Sequence, residues 1–154
     1  MYTVTQILSS AGVKFGKYAA SPAAGGVFLT DGNQLIGTYA DLKRFQRSSP
    51  PYLGWEVHHI VEAQDLERLG VRQLAPPYEQ QICVLLPERA HTGRINSLLR
   101  NQNPIGVRVR PAELLRAYRD AYSLMGNYCG GGERPIRKEL VAIASAVFRA
   151  VGVS

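Results

Sequence analysis

Residues 52–62 read YLGWEVHHIVE, and residues 81–102 read QICVLLPERAHTGRINSLLRNQ. Trp55, Val57 and Ile60 are strand-forming or packing residues, so the first stretch predicts a short strand that ends near a pair of histidines. QICVLL, 81–86, is rich in residues of buried type and predicts a second strand. Pro87 then suits the first position of a helix, where its missing N–H costs nothing, and Glu88 complements the positive helix end. Between the strands, Asp65-Leu66-Glu67-Arg68-Leu69 predicts one or two helical turns, which Pro76-Pro77 stops. The order is strand, connection, strand, helix. His58 and His59 lie on the first strand and His91 in the first turns of the helix, and the chain has three histidines in all.

Such a constellation suits phosphodiester cleavage. A base must take a proton from water, and a cation must neutralise the charge that builds on the phosphate and the leaving oxygen. Histidine does either job, as a base near neutral pH or as a neutral nitrogen ligand. An adjacent pair divides the work only if both rings reach one site. Strict strand alternation would point them to opposite faces, so this reading demands a bend or twist at His58-His59.

Working outward, VFLT, Asp31-Gly32-Asn33 and QLIGTY predict strand, tight turn, strand, because the turn residues tolerate positive φ. Thr38 stands where a helix N-cap belongs, before YADLKRFQR, and Ser48-Ser49-Pro50-Pro51 ends that helix. IGVRVR, 105–110, predicts a short extended piece after Asn103-Pro104. Two helices follow. In the first, Leu114, Tyr118, Ala121 and Met125 recur at helical spacing, and this stripe is read as core and not as a cofactor box. In the second, Ile136, Leu140, Ile143, Val147 and Val151 do the same, with Gly130-Gly131-Gly132 as the hinge between. Residues 1–26, ending in the soft run AASPAAGG, are expected to be a packing arm or a linker, in which Val4, Ile7 and Leu8 form at most a short helix or strand. The remainder, 27–154, is expected to be one domain, its site within 52–100 and its helical part within 105–154.

The 154 residues are 45% hydrophobic and only 19% charged, which suits a folded domain with a real core. The net charge of +6 favours polyanionic partners. Cys83 and Cys129 form no CxxC motif, and Cys83 in its apolar run is read as inert packing. No run approaches the roughly 20 apolar residues that span a bilayer, and no basic segment followed by a clean apolar run opens the chain. The expectation is a soluble domain with no membrane segment.

WEVHHIVE followed by VLLPERAHTGRINSLL resembles the His-Me finger, or HNH, nuclease superfamily. Its likeness is greatest to the HH-signature nuclease domains at the C-termini of bacterial polymorphic toxins and effectors. It covers roughly residues 52–100. The resemblance implies an α+β fold with a ββα-metal core, here joined to an N-terminal hairpin and helix and to two C-terminal helices. It implies that His59 is the general base, that His58 binds or approaches a divalent metal, and that His91 is a metal ligand. Glu62 and Gln81 are the candidates for orienting a histidine. Arg94 or Arg89 is the candidate for holding the scissile phosphate. Ile95 stands where some members carry a second helix histidine, and the middle asparagine is not evident. A site with few protein ligands favours Mg²⁺ or Mn²⁺, with Zn²⁺ or Ni²⁺ as lesser alternatives. The implied activity is hydrolysis of DNA, ahead of RNA, with little sequence preference and no small-molecule cofactor. The implied biology is a secreted or injected toxin that acts in the target-cell cytoplasm and is neutralised by an immunity protein.

Other chemistries fail on spacing. A zinc deaminase needs HxE with PCxxC, a zincin needs HExxH, and a phosphate loop needs GxxxxGK[ST]; none is present. The alternatives are a noncatalytic nucleic-acid-binding module on a degenerate nuclease fold and a phage or defence HNH endonuclease. Trp55 is read as packing beneath the strand, with base stacking the lesser alternative.

Overall fold

The computed structural model describes residues 1–18, 26–87, 99, 109–123 and 133–153. In chain order they form α1 (Val4–Ser10), β1 (Phe15–Lys17), β2 (Phe28–Thr30), β3 (Leu35–Thr38), α2 (Tyr39–Arg47), β4 (Trp55–His59), α3 (Ala63–Arg68), β5 (Ile82–Pro87), α4 (Pro111–Ser123) and α5 (Glu133–Ala150). This is a mixed α+β fold. Its antiparallel five-stranded sheet has the order β1-β2-β3-β5-β4.

The hairpin forms because Asn33 accepts a φ of 65° in the turn between β2 and β3. Thr38 caps α2 through its hydroxyl, which accepts from the Asp41 amide at 3.1 Å. The helix stops at Arg47, before the double proline, as its sequence requires.

β5 explains why its sequence does not alternate. Ile82, Val84 and Leu86 face the larger core, which α1, α4 and α5 cover. Cys83 and Leu85 face a smaller core, which Leu42 and Phe45 of α2 cover. A strand buried on both faces needs apolar residues at every position. On α4, Leu114, Tyr118 and Ala121 are buried as the spacing predicts, while Met125 lies outside the described residues. On α5, Leu140, Ile143 and Val147 are buried, as is Val151 just past its end, while the side chain of Ile136 lies outside the described residues. Buried Glu139 ties α5 to the hairpin, accepting from Thr30 Oγ1 at 2.5 Å and from the Gly32 amide at 2.9 Å.

Two expectations change. Residues 1–18, expected as an arm or linker, supply α1 and the outer strand β1, with Val4, Ile7, Leu8 and Val13 in the larger core. Pro87, expected at the first position of a helix, is the last residue of β5, opposite Trp55, and the helix expected to follow it lies outside the described residues except for Leu99. β3 pairs with β5 only as far as Val84, so at Pro87 one side of the strand is an edge, where a missing N–H is tolerated. Among the described residues no helix is long and apolar enough to cross a membrane.

Candidate functional site

β4 is an outer strand of the sheet, and its last two residues are His58 and His59. Pairing stays regular to the end, with His58 opposite Val84 and His59 opposite Cys83. Alternation therefore holds. His58 shares a face with the larger core and His59 with the smaller one. The bend expected at the pair comes one residue later, at Ile60 and Val61. The rings still border one cavity, because it lies at the open edge of β4. Its volume is about 300 Å³, and Glu62, Gln64 and Tyr78 border it with them.

Each imidazole is anchored through Nε2. His58 is 2% exposed, and its Nε2 lies 2.9 Å from the Tyr122 hydroxyl. That hydroxyl spends its single proton on the Ile60 carbonyl. His58 Nε2 must therefore be the donor, and the basic nitrogen of the neutral ring is Nδ1. His59 is 7% exposed and its Nε2 lies 3.0 Å from the Tyr78 carbonyl, which can only accept. The same tautomer follows. The His59 ring also joins a three-ring cluster: it stacks on Tyr39 with centroids 5.2 Å apart and meets Tyr78 at a tilt at 4.2 Å, while the two phenols lie 5.1 Å from each other.

The turn after β4 is held from α4. Tyr118 and Tyr122 stand one helical turn apart on the same buried face. The Tyr118 hydroxyl donates to Asp65 Oδ2 at 2.6 Å and accepts from the Glu62 amide at 2.9 Å. Asp65 is fully buried and also accepts from Arg68 at 3.0 Å. The Glu62 carboxylate accepts from Gln64 Nε2 at 2.6 Å. Burial, reinforced by the carboxylates of Asp65 and Glu62, pushes the Tyr118 phenol well above its ordinary range. Burial first, then Glu62, does the same to Tyr122. Both are neutral hydrogen-bonding groups at physiological pH.

Of the residues expected at the site, His58, His59 and Glu62 come together around the cavity. His91, Arg89 and Arg94 lie outside the described residues. Gln81 does not border the cavity; its amide donates to the Pro76 carbonyl at 3.1 Å. Cys83 is packing, as expected: burial raises its thiol well above the usual range. Among the described residues no three His, Cys, Asp or Glu side chains converge as a metal-holding group. Sequence reasoning missed Tyr39, Tyr78, Tyr118, Tyr122 and Asp65. A signal existed for the α4 pair, since a tyrosine on a buried face must find a partner for its hydroxyl.

No protein-family model, no curated protein and no solved structure matches this chain.

Proposed function

We propose that the chain is a metal-dependent endonuclease that hydrolyses phosphodiester bonds, DNA ahead of RNA. The observation that carries the reading is the histidine pair. Two imidazoles, each with Nε2 committed as a donor, border one cavity beside a carboxylate. Fixing one ring nitrogen as donor is how proteins set the other to act as base or ligand. In this reading β4, β5 and the segment after β5 build a ββα-metal core.

His59 Nδ1 takes the proton of the attacking water, while the Tyr78 carbonyl and the two phenol rings hold the imidazole in place. His58, anchored by Tyr122, offers Nδ1 as a ligand. Glu62 adds an oxygen donor or orients a bound water. A nitrogen and an oxygen donor beside one cavity fit a divalent cation, and His91 is the further ligand the reading calls for. When bound, such a cation supplies charge neutralisation at the phosphate and the leaving oxygen. Arg94 or Arg89 grips the phosphate. The toxin setting, with an immunity protein as partner, is part of the proposal.

The test is nicking of supercoiled plasmid with Mg²⁺, Mn²⁺, Zn²⁺ or Ni²⁺, with and without chelator. Nicking should depend on metal, and His59→Ala should slow it by ~10²–10⁴-fold, the usual worth of a positioned base. Binding without nicking under every metal would sink the enzyme in favour of a noncatalytic nucleic-acid module. One observation favours that second reading: both rings are more than nine-tenths buried, as structural histidines would be. Growth arrest on expression, relieved by His59→Ala, is the outcome the toxin proposal expects.

A further inference from the structure

At the other end of β4 lies a second cavity, of about 360 Å³, bordered by Tyr18, Tyr52 and Trp55 together with Asn33 and Gln34. The Tyr52 and Trp55 rings meet edge to face at 5.0 Å, and buried Phe45 backs both Tyr18 and Tyr52 at 5.4 and 5.6 Å. The rings bordering the cavity are half-buried. By strand alternation Trp55, Val57 and His59 share one face of β4, and four strand steps separate Trp55 from His59 by about 13 Å.

α2 spans the same interval. At its start Tyr39 stacks on His59; near its end Gln46 donates to the carbonyls of Tyr52 and Trp55. Tyr39, Lys43 and Arg47 follow at four-residue spacing and form one ridge of the helix. Lys43 Nζ lies 5.5 Å from the Tyr39 ring centre, and Arg47 is exposed. The two cations are about 6 Å apart along the helix axis. Arg44 is on another face and is engaged by Asp41 at 2.6 Å.

A row of cations beside an aromatic cavity is how proteins hold unpaired polynucleotide: charge follows the backbone and a ring receives a base. A paired base cannot enter such a cavity without leaving its stack. We propose that the β4–α2 flank binds a single-stranded nucleic-acid segment, with Lys43 and Arg47 on its phosphates and one unstacked base in the Trp55–Tyr52 cavity. As a substrate subsite this rests on the endonuclease reading; it places unpaired strand against His59.

Trp55 is the only tryptophan in the chain, so its emission reports on this cavity alone. The full chain, in chelator, is titrated with an oligothymidylate of about ten nucleotides and separately with the same strand in a duplex. The single strand should quench Trp55 saturably and the duplex should not. The double variant Lys43→Glu/Arg47→Glu alters half-buried Lys43 and exposed Arg47, and its fold is checked by circular dichroism. It should weaken binding at least about tenfold and flatten the plot of log affinity against log salt by about 1.4, which is 0.7 for each phosphate contact. Equal quenching by duplex, or no quenching together with an unchanged salt slope, overturns the proposal. A chain that nicks plasmid without Trp55 quenching refutes this inference alone. A chain that binds single strands in this way but never nicks supports the subsite and sinks the enzyme reading.

Discussion

His58 and His59 are neighbours in sequence but are held by different layers of the fold, His58 by a phenol from α4 and His59 by a backbone carbonyl and two rings. Tyr122→Phe strips the acceptor from His58 Nε2–H and the donor from the Ile60 carbonyl. Leaving buried polar groups without partners costs about 1–3 kcal/mol, so chemical denaturation should show a loss in that range. The same variant frees the His58 ring to change tautomer, which nitrogen chemical shifts would report. On the proposed reaction it should lower kcat more than it alters KM. An unshifted His58 spectrum would refute the anchoring role. Asp65 gives a sharper contrast. Asp65→Ala leaves Arg68, 12% exposed, beside an empty buried position and deprives Tyr118 of its acceptor, so the expected loss is about 3–5 kcal/mol. The Arg44–Asp41 pair is 53% and 26% exposed, and its removal should cost at most about 1 kcal/mol because water and salt already screen it. Comparing the two variants by urea denaturation separates a buried anchor from a surface pair. At this scale the sequence made the histidines conspicuous, because imidazoles are scarce in this chain. It gave no access to which ring nitrogen donates, since that depends on a hydroxyl and a carbonyl brought from distant positions.

α2 is the element that links the two cavities, and its first turn hangs on one side chain. Thr38→Ala removes the cap bond to the Asp41 amide and should cost about 1 kcal/mol. Tyr39 follows directly and rests on His59, so the fraying should reach the site. Thermal melting would measure the first effect, and faster amide exchange at residues 39–41 the second. Unchanged exchange there would show that tertiary contacts hold the turn without its cap. The hairpin, α2, β5 and the closing helices were legible because each satisfies a local rule of turn chemistry, capping or periodicity. β1 was not, since three residues, Phe15–Lys17, are too short to display a period, and the strand exists through pairing with β2. Pro87 was misread for a related reason. Proline suits a helix start and a strand edge alike, and only the register of β3 against β5 decides between them.

Across the whole molecule, the most consequential polar investment is the pair of phenols under the turn after β4. Tyr118 and Tyr122 have folded-state values raised well above the 10.0 of a free phenol, by burial first and by neighbouring carboxylates second. A raised value means the fold favours the protonated form. Their contribution is fully present below pH 10 and is lost as pH climbs through that value toward the folded ones. Alkaline titration should therefore show a cooperative loss of helical signal above pH 10, with tyrosinate absorbance from these two rings appearing in the same transition. Tyr2, raised to about 12, should join them. Tyrosinate absorbance that rises smoothly before any unfolding would contradict this account. At the same scale, the +6 charge predicts polynucleotide affinity that falls steeply with salt.

The sequence by itself determined the apolar faces of the helices, the hairpin turn, the cap of α2 and the histidine pair as the candidate site. Those follow from interactions between residues a few positions apart. Only the tertiary structure decided that β4 is an outer strand, that its histidines meet around an open edge and not through a bend, and that tyrosines some sixty positions away anchor His58 and the turn after β4. Such arrangements depend on which surfaces bury one another, and that is settled by long-range packing and pairing, which leave no periodic trace along the chain.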